Sequence, residues 1–547
     1  MKSQPYIESR FPSKMLVATG LAAVLLFVFH WQAYFFNERF GMDPAIPMLV
    51  TLPIGFLFVV AWGCWFLFFA KRKLVGLLVF AIPIAFFTFY YPNVSGDMGF
   101  LGFRPRFWSR SVDYQKATSA NLADVKTTTK FDFPQFLGPD RNARIDSVKL
   151  AGSWNDSAPE ELWKIGIGDG WSAFVAVNGN AITQEQRGAD ECVTCYDVKT
   201  GELKWINQVQ RRHEDIAAMG KAGPRATPTV FEGLVYAASG TGVLDCIDGA
   251  TGKTLWTADV PSLVGIEQVV AKSSLGLEYT TETSRMVWGR SNSPLIVGDW
   301  IVVAAGGPSE IGENDPTATL IAFDRITGEE IWRGGKRMIA YGSPTLATLG
   351  GKQQILLVAE DCAVGHDAET GEELWSHSRP GSTGSNANCS QVTIVDENRL
   401  ILSKGYGAGG ELIQVTESNG KWKVESIKKD PRILRTKLTN PVIHDGFVYS
   451  LSDGYLICAS VDNFQRKWKE RGRFGNGQLL MVGDKLLVHS EFGTLFLIDT
   501  NSEKYTELGS IDTIGGICWN TICLYGDCLL VRSDTEAACF RIPLVQE

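Results

Sequence analysis

The stretch that most constrains this chain is Cys246 to Trp256, Cys-Ile-Asp-Gly-Ala-Thr-Gly-Lys-Thr-Leu-Trp, because the same phrase is written several times. It recurs as Tyr196-Asp197 through Thr200-Gly201 to Trp205, as Phe323-Asp324 through Thr327-Gly328 to Trp332, and as His366-Asp367 through Thr370-Gly371 to Trp375. The apolar run ahead of each Asp reads as a strand. Asp-x-x-Thr-Gly reads as a tight turn, with the Asp side chain capping backbone amides and the Gly free to take a positive φ. The stretch ending in Trp reads as a second strand, so each copy predicts one hairpin of a repeated unit.

Further on the phrase decays but keeps its rhythm, as in Leu456 to Trp468 and Leu495 to Tyr505. Paired strand-like runs precede each copy, for example Thr227 to Val230 with Leu234 to Ala238, and Val442 to His444 with Phe447 to Leu451. Four strands in roughly 40 to 50 residues is the period of a propeller blade. Asp197, Asp248, Asp324, Asp367, Val415, Ser460, Asp499 and Phe540-Arg541 mark eight units. The last unit lacks its outer strand, while Leu162-Trp163-Lys164-Ile165 stands unpaired ahead of the first. The N-terminal strand is therefore expected to complete the C-terminal blade, which removes two exposed sheet edges at once.

This repeat resembles the pyrroloquinoline-quinone (PQQ) type of propeller repeat, shared by quinoprotein dehydrogenases and by the lipoprotein subunit of the outer-membrane β-barrel assembly machinery. Phrases such as Pro134-Gln135-Phe136-Leu137-Gly138-Pro139-Asp140 and Gly223-Pro224-Arg225-Ala226-Thr227-Pro228 fit the same group. The resemblance covers residues 131–547 and implies an all-β, eight-bladed β-propeller. The repeat describes blade packing, not a site, so it is specific for fold and weak for function.

Residues 1–92 differ in composition from the rest. Met15 to Phe36 and Ile46 to Ala70 are apolar runs long enough to span a bilayer, and Leu74 to Tyr91 is a third at the short end, so three transmembrane helices are expected. Lys71-Arg72-Lys73 between the second and third runs, and Lys2, Arg10 and Lys14 before the first, place the N-terminus in the cytoplasm and the propeller outside it. In a bacterium that is an inner-membrane, multi-pass protein with its propeller in the periplasm. Arg104, Arg106 and Arg110 dissent. Cys64 lies inside the second run, where no lipoprotein signal would place it, which departs from the lipid-anchored assembly subunit. Residues 93–130 read as a linker, polar from Ser111 onwards.

The net charge of −8 gives no electrostatic case for nucleic acid. Most of the eleven cysteines sit singly at strand positions and read as small buried hydrophobes. Cys192 and Cys195 have CxxC spacing, but residues three apart on a strand point to opposite faces. Cys518, Cys523 and Cys528 leave room for one bridge. Gly405 to Gly410 matches G-x-G-x-x-G, yet a strand follows where a dinucleotide site needs a helix. Gly252-Lys253-Thr254 belongs to the repeat turn, and His213-Glu214 lacks a second His at position 217. Acidic Glu310 to Asp315 reads as a solvated turn.

The residues just ahead of each innermost strand are more informative, because in a propeller they converge on the central funnel. Trp171, Arg225, Arg290, Asn388, Lys437, Gln478, Trp519 and Asn520 are the candidates. Either they bond to neighbouring innermost strands and to channel water, or they form a pocket for an anionic or planar ligand. In the second case Arg225, Arg290 and Lys437 supply charge and Trp171 or Trp519 a stacking plate. The insertion Pro261 to Arg290 is expected beside that face.

The resemblance implies two functions. Quinoprotein dehydrogenases hold PQQ and Ca²⁺ in the funnel and use an Asp as base, and membrane-bound glucose dehydrogenases join several membrane helices to such a propeller. This chain has no adjacent cysteine pair, no C-x-x-C-H haem motif and no carboxylate at the innermost strand starts. The favoured reading is a membrane-anchored binding or protein-assembly module without cofactor, whose partners are the bilayer and an envelope protein or peptide. The alternative is a PQQ-dependent dehydrogenase passing electrons to the membrane quinone pool.

Overall fold

The repeated turn folds as its residue types dictate. Asp197 Oδ1 accepts the backbone N–H of Lys199 (3.0 Å) and Thr200 (3.1 Å), and Asp324 Oδ1 does the same for Ile326 and Thr327. The glycine that ends each turn takes a φ between +70° and +75° in Gly201, Gly252, Gly328 and Gly371. The Trp of the preceding blade lies flat on that glycine. A Cβ would come within 2.7 Å of the Trp163 ring at Gly201 and of the Trp205 ring at Gly252, and within 2.6 Å of the Trp256 ring at Gly328. The indole N–H then bonds the neighbour's turn: Trp163 to the Val198 carbonyl (2.8 Å), Trp205 to Gly249 (2.9 Å) and Trp256 to Arg325 (3.3 Å). The phrase Asp-x-x-Thr-Gly…Trp therefore encodes both halves of a joint between adjacent blades.

The computed structural model describes residues 12–545 except 41, 43–44, 70–72, 95–99, 106–113, 117–121, 156, 214–221, 273–275, 283–285, 308–316, 383–385 and 472–473. Within residues 112–547, eight antiparallel sheets follow one another in chain order. Blade 1 consists of Val175–Val177, Asn180–Arg187, Asp190–Asp197 and Leu203–Gln210, innermost strand first. Blades 2 to 7 repeat the order, their innermost strands being Thr229–Phe231, Leu295–Val297, Thr345–Leu349, Thr393–Ile394, Val442–His444 and Gln478–Val482. Blade 8 takes Cys523–Tyr525, Cys528–Arg532 and Glu536–Arg541 from the C-terminal end and Glu160–Gly166 as its outer strand, with Cys539 opposite Trp163. The expected closure is thus made by the expected strand.

Every blade carries a register shift between its third and fourth strands. In six blades the residue on its N-terminal side faces the blade's own Trp, and it is small: Cys195, Cys246, Ala322, Gly365, Cys458 and Cys539 face Trp205, Trp256, Trp332, Trp375, Trp468 and Trp163, whereas blades 5 and 7 have Leu412 opposite Lys428 and Leu497 opposite Gly509. Those cysteines leave room for an indole. All eleven cysteines are free thiols, so the bridge considered among Cys518, Cys523 and Cys528 is not formed.

The stretch Phe131 to Ile145 crosses the ring's central channel at the end where the innermost strands finish. Phe133 exchanges backbone bonds with Ala176 of blade 1, and the Pro134 carbonyl accepts Val230 N–H of blade 2. Ala143 and Ile145 carbonyls accept Met481 and Gly483 N–H, so Arg144–Ile145 adds a parallel strand to blade 7. Ahead of it, Ala123 and Val125 are buried against the valines of blades 1 and 2.

Residues 1–111 form a separate unit. Its helices are Ser13–Trp31, Ala33–Phe40, Ile46–Phe68 and Lys73–Phe89. The first and third are long and apolar enough to cross a membrane. Side chains such as Leu25 and Phe56 are exposed in the unit itself, as lipid-facing groups require. The third expected span is not clearly one. Its helix stops after 17 residues because Tyr90 opens a hairpin with Phe100–Pro105, and 17 residues reach only about 26 Å against a hydrocarbon core of about 30 Å. Lys2, Arg10, Lys71 and Arg72, which set the expected orientation, lie outside the described residues, as do the dissenting Arg106 and Arg110 and the acidic stretch Glu310 to Asp315.

Candidate functional site at the mouth of the ring

At the end where the innermost strands begin, side chains of one blade bond the next. Thr227 Oγ1 accepts Ala173 N–H (3.3 Å), Ser293 Oγ accepts Thr227 N–H (3.0 Å), and Ser343 Oγ accepts Ser293 N–H (2.9 Å). Asn440 Oδ1 accepts Gln391 N–H (2.9 Å). Two candidates belong to this relay. Gln478 Nε2 donates to the carbonyls of Leu438 (2.7 Å) and Trp519 (2.8 Å), tying blades 6, 7 and 8, and Asn520 Nδ2 donates to the Ser172 carbonyl (2.9 Å), tying blade 8 to blade 1.

The other candidates separate into distinct surroundings. Asn388 is buried and its amide donates to the carbonyls of Ala359, Glu360 and Arg379 at 3.0–3.1 Å. Arg290 is buried, ion-paired to Glu282 (3.0 Å) and bonded to the Ala305 and Gly306 carbonyls, which fastens the insertion hairpin Gln268–Lys272 and Glu278–Glu282 to blade 3. Lys437 sits with its ammonium 5.6 Å from the Tyr406 ring centre. Arg225 is half-buried, donates to the Gly223 carbonyl (2.9 Å), and faces a charged group between blades 1 and 2. There Glu191 accepts Gly240 N–H on both oxygens, and Arg211 pairs with Asp245 at 2.7 Å. Burial pushes Glu191 up to about 7 against the pull of Arg211, and burial beside Arg225 pushes His213 down to about 3.

Trp171 and Trp519 come together, with ring centres 4.5 Å apart and planes tilted by 34°. Trp519 Nε1 donates to Glu491 (2.9 Å), whose other oxygen accepts Asn476 N–H (2.9 Å). Beside it Phe492 stands 46% exposed at the tip of the same turn. Sequence reasoning missed Glu491, since an acid ahead of Phe-Gly between two strands reads as a solvated turn. It also missed Arg532, whose guanidinium bonds Thr183 and Gln184 of blade 1 from blade 8.

Eight four-stranded blades, turns written Asp-x-x-Thr-Gly, and an indole on each turn glycine define a PQQ-like β-propeller. A family model described as outer membrane protein assembly factor BamB matches residues 157–261 and 189–470, together more than half of the chain, and the chain belongs to that family. It is 23% identical over 375 residues to the outer membrane protein assembly factor BamB of Burkholderia pseudomallei strain K96243, covering 62% of this chain and 87% of that one. It is 25% identical over 162 residues to the quinohemoprotein alcohol dehydrogenase of Comamonas testosteroni, covering 28% of this chain and 19% of that enzyme. The solved structure of quinohemoprotein alcohol dehydrogenase ADHIIG from Pseudomonas putida HK5 superposes with a TM-score of 0.53 at 13% identity, over 78% of this chain and 84% of that one, a likeness of fold.

The mouth does not fit a quinone held with Ca²⁺. Its two indoles cover each other's faces instead of flanking a slot, and Glu491 is committed to Trp519 and Asn476. Arg290 is spent on Glu282.

Proposed function

We propose that this protein is a membrane-anchored recognition or assembly module of the bacterial envelope, with its propeller in the periplasm. Its partner is an envelope protein or an extended peptide. The observation that carries this reading is that Gln478, Asn520 and Glu491, among the mouth's polar side chains, are spent on holding neighbouring blades together. What remains for contact is a rigid rim of loops, the Trp171–Trp519 pair and the exposed Phe492. Membership of a family described as an outer membrane protein assembly factor supports the same class of role. In this reading all three apolar helices cross the inner membrane, Lys73–Phe89 at its thinnest tolerance, and the Lys/Arg bias sets the orientation.

The test is a photo-crosslinking amino acid placed at Phe492 or Arg225 in the full chain in membranes. Discrete adducts at both mouth positions, absent from the outward-facing control Ile427, are expected. Equal labelling at all three positions would contradict the proposal.

A further inference from the structure

Arg141 differs from every other buried arginine among the described residues. Arg211, Arg290, Arg379 and Arg435 are paired with Asp245, Glu282, Glu411 and Asp453 at 2.7, 3.0, 3.2 and 2.9 Å, and Arg532 lies in the field of Glu185, Asp534 and Asp169. Arg141 is only 3% exposed, and every acceptor it has is neutral. Nη1 donates to Gln135 Oε1 (3.2 Å) and the Pro294 carbonyl (2.9 Å), and Nη2 to the Ser293 carbonyl (3.2 Å). The guanidinium carbon lies 5.9 Å from the Phe136 ring centre, and Nε–H meets no acceptor of the protein, as in Arg379, whose charge Glu411 already balances. Burial alone pulls the guanidinium down to about 9, so it is still a cation at neutral pH. A buried charge of one sign with no counter-charge is costly, and it is paired in almost every folded protein.

The chain goes out of its way to put this charge there. Arg141 has a φ of +52°, and Leu137 and Ala143 on either side are also left-handed at +62° and +54°, conformations that side chains with a Cβ adopt at a cost. Its own carbonyl accepts the Gln391 amide of blade 5 while its guanidinium rests on blade 3, so the residue spans the channel. Around that channel further buried polar atoms have no protein partner: Asn292 Oδ1, Gln391 Oε1, Thr439 Oγ1, Asn476 Nδ2 and Asn520 Oδ1, from blades 3, 5, 6, 7 and 8.

We propose that the channel beside Arg141 binds one small inorganic monoanion of halide size on the Nε edge of the guanidinium, linked through water to the polar atoms of the channel wall. One guanidinium balances one negative charge, so a divalent ion would leave a charge uncompensated. Most of the wall atoms are acceptors, which take hydrogen from water and not from the anion, so the single Nε–H is the ion's direct donor, as suits a small spherical ion. An ion there joins blade 3, blade 5 and the crossing segment into one charge-neutral unit.

The test is thermal unfolding of the full chain in detergent as sodium gluconate is replaced by sodium chloride at constant ionic strength. A saturable rise of the midpoint by about 2–4 °C is expected, and it should vanish in Arg141→Gln. No chloride response in the natural chain, or the same response in Arg141→Gln, would overturn the proposal. Should Arg141→Gln fail to fold, crystals of the natural chain soaked in bromide decide: an anomalous peak within about 3.5 Å of Arg141 Nε is expected, and no peak there refutes the site.

Discussion

The joint between blades 8 and 1 gives the sharpest prediction of the account. Trp163 is 7% exposed, its ring lies on Gly201, and its N–H bonds the Val198 carbonyl at 2.8 Å. Trp163→Ala should cost about 3–5 kcal/mol as a large buried aromatic, whereas Trp163→Phe keeps most of the packing and loses chiefly the hydrogen bond, about 1 kcal/mol. Gly201→Ala carries two penalties. An L-residue at a φ of +70° costs about 1–2 kcal/mol, and a Cβ 2.7 Å from the indole adds overpacking of about 1–3 kcal/mol. In the Trp163→Ala background the second penalty disappears, so the double variant should be more stable than the sum of the two by about 1–3 kcal/mol. The assay is urea unfolding of the full chain in detergent, followed by far-ultraviolet circular dichroism so that removing a Trp does not remove the signal. Additivity within about 0.5 kcal/mol would show that ring and glycine do not form one joint, and the explanation of the repeat would fall.

Three further outcomes follow. Deleting residues 161–167 removes the strand that pairs with Glu536–Arg541 and should turn a protease-resistant propeller into one digested from blade 8 inward; unchanged resistance would deny ring closure. Glu191, at about 7 in the fold against 4.5 unfolded, favours the folded state most below pH 4.5, and that contribution is lost as pH rises through 7. Glu191→Gln should therefore gain on the natural chain by about 2–3 kcal/mol between pH 5 and 8, read as the difference in unfolding midpoints, and a flat difference would contradict its burial. Cys246→Leu places extra volume opposite Trp256 and should cost about 1–3 kcal/mol, while Cys246→Ala should cost less; the reverse order would mean that the thiol, not its size, matters there.

What was legible in the sequence was chemistry written in residue types at fixed spacing. Asp, Thr and Gly in one turn and Trp eight residues after the Asp are enough for the blade, the count of eight and the borrowed strand at Leu162 to Ile165, because each is a local pattern. The membrane unit shows where that stops. A hydropathy run cannot see that Gln32 interrupts the first helix or that Tyr90 leaves the last helix for a strand, since both sides of each break are apolar. At the mouth the residue types were legible and the partners were not: Gln478 and Asn520 bond carbonyls 40 to 348 residues away. Arg141 was invisible for the same reason, its blade partners lying 152 to 250 residues off along the chain.

The measurement that bears most directly on the proposed role is a titration of the full chain in detergent with PQQ, with and without Ca²⁺. It is followed by quinone absorbance and by dye-linked oxidation of simple alcohols and sugars. The account predicts no saturable binding and no turnover, because the two indoles at the mouth occupy each other's faces and Glu491 is already committed. Calcium-dependent binding with turnover, lost in Arg225→Ala, would make this propeller a quinoprotein and contradict its assignment as a recognition module.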